Sequence, residues 1–160
     1  MNEAVVFVEI PSGSRNKYEW DDELGGIVLD RRLFTSMAYP ADYGYVEGTL
    51  ADDGDPLDAL VLVAEPTFPG CRIRVRPVGV FHMSDEKGAD EKVLCVPLGD
   101  PSFERVQELD DVSAELRDEI EHFFRRYKEL EPSKRTETRG WGARAEAAEI
   151  VSDARARARG

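Results

Sequence analysis

The sequence predicts a mainly β member of the α+β class: a small β-barrel or strongly curved sheet with helices packed outside. Three observations carry this. Residues 1–98 read mostly as short β-branched or alternating runs separated by polar loops. Residues 101–160 instead place apolar side chains at three- and four-residue steps. No linker or internal repeat divides the chain, so residues 1–160 are expected to form one domain, long enough to bury a real core.

The elements follow in order. AVVFVEI (4–10) is a β-branched run closed by Pro11. KYEW (17–20) and GIVLDR (26–31) flank a polar turn, Asp21 to Gly25, and read as a hairpin. ALVLVAE (59–65) reads as a buried strand. In CRIRVRPVGVF (71–81), Ile73 and Val75 point one way and Arg72, Arg74 and Arg76 the other. KVLCVPL (92–98) is a further short strand. Asp100-Pro101-Ser102 supplies a cap with proline in the first turn, which starts a short helix. The main helix is expected from about Ser113 to Leu130, with Leu116, Ile120, Phe123, Phe124 and Tyr127 on one face and Pro132 as the stop. In RGWG (139–142) the glycines allow a tight turn that lays Trp141 on the barrel. A last helix, about 143–158, carries Ala147, Ile150, Val151 and Ala154 on one side. Its arginines, 155, 157 and 159, lie at the C-terminal end, where the helix dipole favours cations.

Composition removes several functions. The net charge of −12, from 33 acids against 21 bases, argues against a phosphate-backbone binder, which shows a basic patch. It leaves room for an anionic substrate if metal ions stand between protein and substrate. Glu3, Glu9 and Pro11 interrupt the N-terminal apolar run, so it does not read as a signal peptide. The longest uncharged apolar run, residues 59–64, is far too short to span a bilayer. A soluble cytoplasmic protein is expected. Cys71 and Cys95 read as buried inert thiols, Trp20 and Trp141 as packing residues. His82 and His122 are too few and too far apart for a histidine metal site.

Chemistry concentrates in DDGDPLD (52–58). Asp52, Asp53, Asp55 and Asp58 crowd one segment, and like charges this close repel by up to about 4 kcal/mol per adjacent pair at an effective dielectric near 20. Such a cluster either stays in water or is neutralised by a cation. In an extended segment Asp53 and Asp55 would share a side, with Asp58 arriving after the turn at Pro56. Oxygen ligands of this kind suit Mg²⁺, Mn²⁺ or Ca²⁺ rather than zinc. The spacing does not fit an EF-hand, because Gly54 lies between the acids and a strand follows. Asp85, Glu86 and Asp90 in MSDEKGADEK form a second acidic loop, and Glu9 closes the first strand. Lys17, Arg31, Lys128 and the tyrosines of AYPADYGY supply cationic and phenolic donors that suit a bound phosphate.

Together, VEIP (8–11), KYE (17–19), LDR (29–31), YPADYGY (39–45), DGDPLD (53–58), MSDEKGADEK (83–92) and HFFRRYK (122–128) resemble the soluble inorganic pyrophosphatases of family I. The motifs occur in that family's order, and DGDPLD is the most specific of them. The resemblance implies a five-stranded OB-like β-barrel with helices packed outside. It implies hydrolysis of pyrophosphate to two orthophosphates with several Mg²⁺ ions per site, and assembly as a homohexamer. Carried over by motif, Asp53, Asp58 and Asp90 would hold the two ions that share the attacking water, with Asp58 bridging. Asp55 would be the base, with Asp90 as runner-up. Glu9 and Asp85 would bind metals that arrive with the substrate. Lys17, Arg31, Tyr43, Tyr127 and Lys128 would hold phosphoryl oxygens, with Glu19, Asp30 and Lys92 as supports. Two positions depart from the commoner pattern: Asp42 stands where many relatives carry Asn, and Glu131-Pro132-Ser133-Lys134 replaces a more usual Lys-Gly-Lys stretch. Two other classes compete. An OB-type nucleic-acid-binding module would want a basic groove, and a calcium-binding structural module leaves the Lys and Arg companions without a role. No nucleic acid and no membrane is the expectation.

Overall fold

The computed structural model describes residues 3–160, so Met1 and Asn2 of the N-terminal reading lie outside it. In chain order the elements are β1 (Ala4–Ile10), β2 (Asn16–Asp21), β3 (Gly26–Arg32), β4 (Asp42–Val46), β5 (Asp58–Val61), β6 (Arg72–Asp85), β7 (Gly88–Ala89), β8 (Lys92–Pro97), α1 (Ala114–Arg126), β9 (Thr136–Gly142) and α2 (Arg144–Arg159). Strands β1, β4, β5, β8 and β6 pair in that order, and β6 pairs back with β1, which closes a five-strand ring. Within it only β5–β8 is parallel. β9 adds to β6, and β2–β3 stand apart as a hairpin. The mainly β, OB-like arrangement with helices outside is therefore present.

The ring strands are covered on both faces. Leu60, Leu94 and Val96 join a cluster with Ile120, Phe123 and Phe124 of α1, while their neighbours Ala59, Val61, Val93 and Cys95 join one with Ala147, Val151 and Ala154 of α2. Double coverage explains why ALVLV and VLCV read as unbroken apolar runs instead of alternating ones. In α1, Ser113 caps the N-terminus by accepting from the Leu116 amide at 3.2 Å.

Several expectations are corrected. β4 lies in the tyrosine-rich stretch and was not predicted as a strand. Asp42, Gly44 and Val46 are buried and Tyr43 and Tyr45 half-buried, so the pattern alternates with residue types that do not advertise it. A Cβ at Gly44 would overlap the Phe7 carbonyl oxygen, so only glycine permits this approach of β1 and β4. RGWG is a strand, not a tight turn. Gly140, at φ +89°, sits where the β6–β9 register slips, and Trp141 packs on Phe81 at 4.9 Å. The 59–65 strand ends at Val61, although the Leu62 amide still donates to the Cys95 carbonyl at 3.0 Å. β6 continues to Asp85, past the expected end at 81. α1 stops at Arg126, and the following residues form turns instead of reaching Leu130. Cys95 is buried as expected, but Cys71 is only half-buried.

Candidate active site

One cleft of about 470 Å³ brings together Glu9, Lys17, Tyr43, Asp55, Asp58, Asp90, Tyr127 and Lys128. Each comes from a different structural device. Glu9 sits where the β1–β4 register slips between Val8 and Ile10, and a bulge of this kind re-aims a side chain. Its carboxylate accepts from the Trp20 amide at 2.9 Å, tying β1 to the hairpin. Tyr43 projects from β4, Asp58 opens β5 and Asp90 precedes β8. Tyr127 caps α1 and Lys128 follows it.

The DDGDPLD segment is a turn, not an extended stretch. Gly54 adopts φ +88°, and the Asp55 amide donates to Asp53 Oδ1 at 2.9 Å. Asp53 therefore faces an adjoining cavity of about 70 Å³, shared with Asp55, Asp58 and Asp90. Asp85, Glu86 and Arg31 are not among the residues that line the cleft. Asp85 and Glu86 each stand 3.9 Å from Lys128 Nζ. Arg31 donates to Asp30 at 2.6 Å, and Asp30 in turn accepts from Lys17 at 3.3 Å. Asp42 is buried, with its carboxylate accepting from the Ser12 amide at 2.8 Å and the Thr67 hydroxyl at 2.5 Å.

Lys92 organises the centre. The parallel register sets it opposite Asp58. Its ammonium, 1% exposed, donates to Tyr43 Oη at 2.7 Å, Asp90 at 3.1 Å and Asp58 at 3.2 Å. Burial tends to lower its pKa, but Asp58 and Asp90 outweigh that and hold it well above the usual lysine value. Burial pushes Asp58 up to about 7, with the neighbouring Asp90 adding to the rise against the pull of Lys92. Burial also acts to raise Asp90, but Lys92, Asp58 and Lys128 carry it below the ordinary carboxylate value. The Tyr43 and Tyr127 phenols are driven up, first by burial and then by these carboxylates, so both keep their protons and remain hydrogen-bond donors. Burial raises Glu9 and lowers Lys128.

Among the described residues, no three carboxylate, imidazole or thiol groups converge closely enough to hold an ion as they stand. The Lys92 ammonium lies between Asp58 and Asp90, and Lys128 faces Asp85 and Glu86. The donor chemistry nonetheless fits hard divalent cations: every acidic group at the cleft is a carboxylate, with no thiol or imidazole beside it.

Sequence reasoning gave Trp20 a packing role, yet it is 40% exposed and lines the cleft, edge-on to Phe7 at 5.8 Å. Glu131 received no site role and turns out to hold Arg31, with Nε 2.7 Å from Oε1 and Nη2 donating to Oε2 at 3.2 Å. The two residues are 100 positions apart, so only its charge could have flagged it.

A five-strand ring whose cleft sets carboxylates against lysines and phenols defines a class of protein able to hold hard cations and a small polyanion together. The comparisons with known proteins agree. The family described as inorganic pyrophosphatase matches residues 6–159. An inorganic pyrophosphatase of Streptomyces coelicolor is 61% identical over 142 residues, covering 89% of this chain and 87% of that protein. One from Leifsonia xyli is 58% identical, covering 91% and 90%. The structure of the Thermus thermophilus inorganic pyrophosphatase superposes with a TM-score of 0.98 at 45% identity, covering 99% of this chain and 92% of that one. The chain belongs to the inorganic pyrophosphatase family.

Proposed function

We propose that this protein hydrolyses inorganic pyrophosphate to two orthophosphates, with Mg²⁺ as its cofactor, several ions per site. The observation that carries this reading is the joint placement of Glu9, Asp55, Asp58 and Asp90 with Lys17, Tyr43, Tyr127 and Lys128 around one cleft. A carboxylate cleft alone repels a tetra-anion, and the cationic and phenolic donors alone would not activate water. Divalent cations bound there would make water easier to deprotonate and offset the charge on the phosphoryl oxygens.

The chain's own residues divide the remaining work. Asp53, Asp58 and Asp90 would hold the cations that activate the attacking water, and Glu9 and Asp85 would hold those that accompany the substrate. Asp55 accepts the water proton, and Asp90 is the alternative acceptor. The water oxygen forms the new bond to phosphorus as the bridging P–O bond breaks, and the proton that Asp55 took passes, directly or through solvent, to the leaving phosphate. Lys17, Arg31, Tyr43, Tyr127 and Lys128 bind phosphoryl oxygens and hold them in line, which is where phosphoryl transfer gains most of its rate. Tyr43 and Tyr127 donate as neutral phenols, a role their burial favours. Lys92 fixes Asp58 and Asp90 in place and opposes the burial-driven rise at Asp58.

In this reading residues 1–160 are one pyrophosphatase domain, acting in the cytoplasm as a homohexamer. None of the described helices is long and apolar enough to cross a membrane. A nucleic-acid-binding role would want a basic groove in a chain whose net charge is −12, and a calcium-structural role leaves the lysine and phenol donors of the cleft unexplained. The test is phosphate release from pyrophosphate with Mg²⁺, against ATP as control substrate. The reading expects release from pyrophosphate and little from ATP. No release from pyrophosphate would overturn it.

A further inference from the structure

Arg31 is expected to bind phosphate, yet it does not line the cleft, and its guanidinium already holds two anions. Asp30 takes one nitrogen at 2.6 Å, and the carboxylate of Glu131 lies along Nε and Nη2 at 2.7 and 3.2 Å. We propose that Glu131 is a tethered competitor for Arg31: it occupies the guanidinium in the resting cleft, gives way to a phosphoryl group, and thereby sets the affinity for substrate and for product orthophosphate. This rests on the assignment of Arg31 to phosphoryl binding made above.

A carboxylate and a phosphoryl group present the same pair of oxygens to a guanidinium, so they compete for one binding edge. The two carboxylates on Arg31 are not equivalent. Asp30 is shared with Lys17 and stays anchored if Arg31 turns, whereas among the described residues Arg31 is the one basic group that Glu131 pairs with. Glu131 lies in the turn after α1, its amide donating to the Lys128 carbonyl at 3.0 Å, so it belongs to the segment that presents Tyr127 and Lys128. Phosphate binding by those residues and release of Arg31 are thus joined through one short turn. The pair is also imperfect. The buried Nε of Arg31 finds no well-aligned acceptor, despite the short distance to Glu131. A badly aligned pair is cheaper to exchange than a parallel two-bond one. Around this corner Lys17 and Arg31 face Glu19, Asp30 and Glu131. With Glu131 in place the corner carries one excess negative charge, and only when Glu131 leaves do the two cations balance the two remaining carboxylates.

The test uses the Mg²⁺-loaded enzyme and measures KM for pyrophosphate and inhibition by orthophosphate. The variants are Glu131→Gln and Glu131→Asp, each also made in an Arg31→Ala background. With Arg31 present, Glu131→Gln should lower KM and the phosphate inhibition constant by about 1.5- to 5-fold, the range expected from a partly exposed ion pair. Glu131→Asp, charged but shorter, should fall between it and the parent, so the result does not hang on how one variant folds. In the Arg31→Ala background both effects should vanish. If Glu131→Gln leaves KM unchanged or raises it while Arg31→Ala weakens substrate binding, the competition is refuted and the Arg31 assignment stands. If Arg31→Ala changes neither KM nor kcat, the assignment and the inference fall together.

Discussion

Replacing Lys92 by Met removes the charge at the centre of the site while keeping most of the volume. Lys92 is 1% exposed and makes three polar contacts, to Asp58, Asp90 and Tyr43. Removing one partner of a buried ion pair costs about 3–5 kcal/mol, because the other is left uncompensated. Asp58 and Asp90 keep 30% and 19% of their side chains exposed, which lets water share the charge and favours the lower end, about 3 kcal/mol. For a chain of this length that is a drop in Tm of roughly 6–12 °C. The assay is urea unfolding in chelator at pH 8. The sign with pH follows from Asp58, whose folded pKa of about 7 lies above its unfolded value and would rise further without Lys92. The Asp58 part of the penalty should be complete once pH passes its folded value and fade below about pH 4, where that carboxyl is protonated in both states. The Asp90 part persists to lower pH, because the parent holds that group below the ordinary value. Mg²⁺ should also restore more stability to the variant than to the parent, since a cation can take the place of the missing ammonium. A loss under about 1 kcal/mol at pH 8, or one independent of pH, would refute the account of Lys92.

Asp58→Asn should reduce turnover by on the order of 100- to 1000-fold, while Lys134→Ala, exposed and outside the cleft, should change it little. Equal small effects in steady-state assays would contradict the assignment. Chelating divalent ions should abolish phosphate release, and re-adding Mg²⁺ should restore it; substantial turnover after chelation would remove the mechanism. Gly44→Ala should cost about 3 kcal/mol or more in urea unfolding, because the added carbon meets the Phe7 backbone instead of a movable side chain. A thiol reagent should modify half-buried Cys71 well before Cys95, whose thiol burial pushes far up. Mass spectrometry of the partly labelled protein decides this.

The sequence carried the parts of the fold whose cause is local. Val6 to Ile10, the Lys17–Arg31 hairpin and the apolar face of α1 were readable because periodicity and capping act over a few residues. β4 and β9 were not, since Gly44 and Gly140 look like breakers. One is required by the close approach of β1, the other by a register slip against β6. The site followed the same division. Glu9, Asp58, Asp90 and Lys128 were legible from motifs, but the turn that moves Asp53 aside depends on the conformation of Gly54. Glu131 and Arg31 meet only through tertiary packing, and no local pattern marks such a pair.

Calorimetric titration of Mg²⁺ into the metal-free protein, beside the Asp58→Asn/Asp90→Asn double variant, tests the role of the carboxylate cleft most directly. The account predicts saturable uptake by the parent and its loss in the double variant, with melting curves showing that both proteins fold. Equal uptake by the two folded proteins would contradict it.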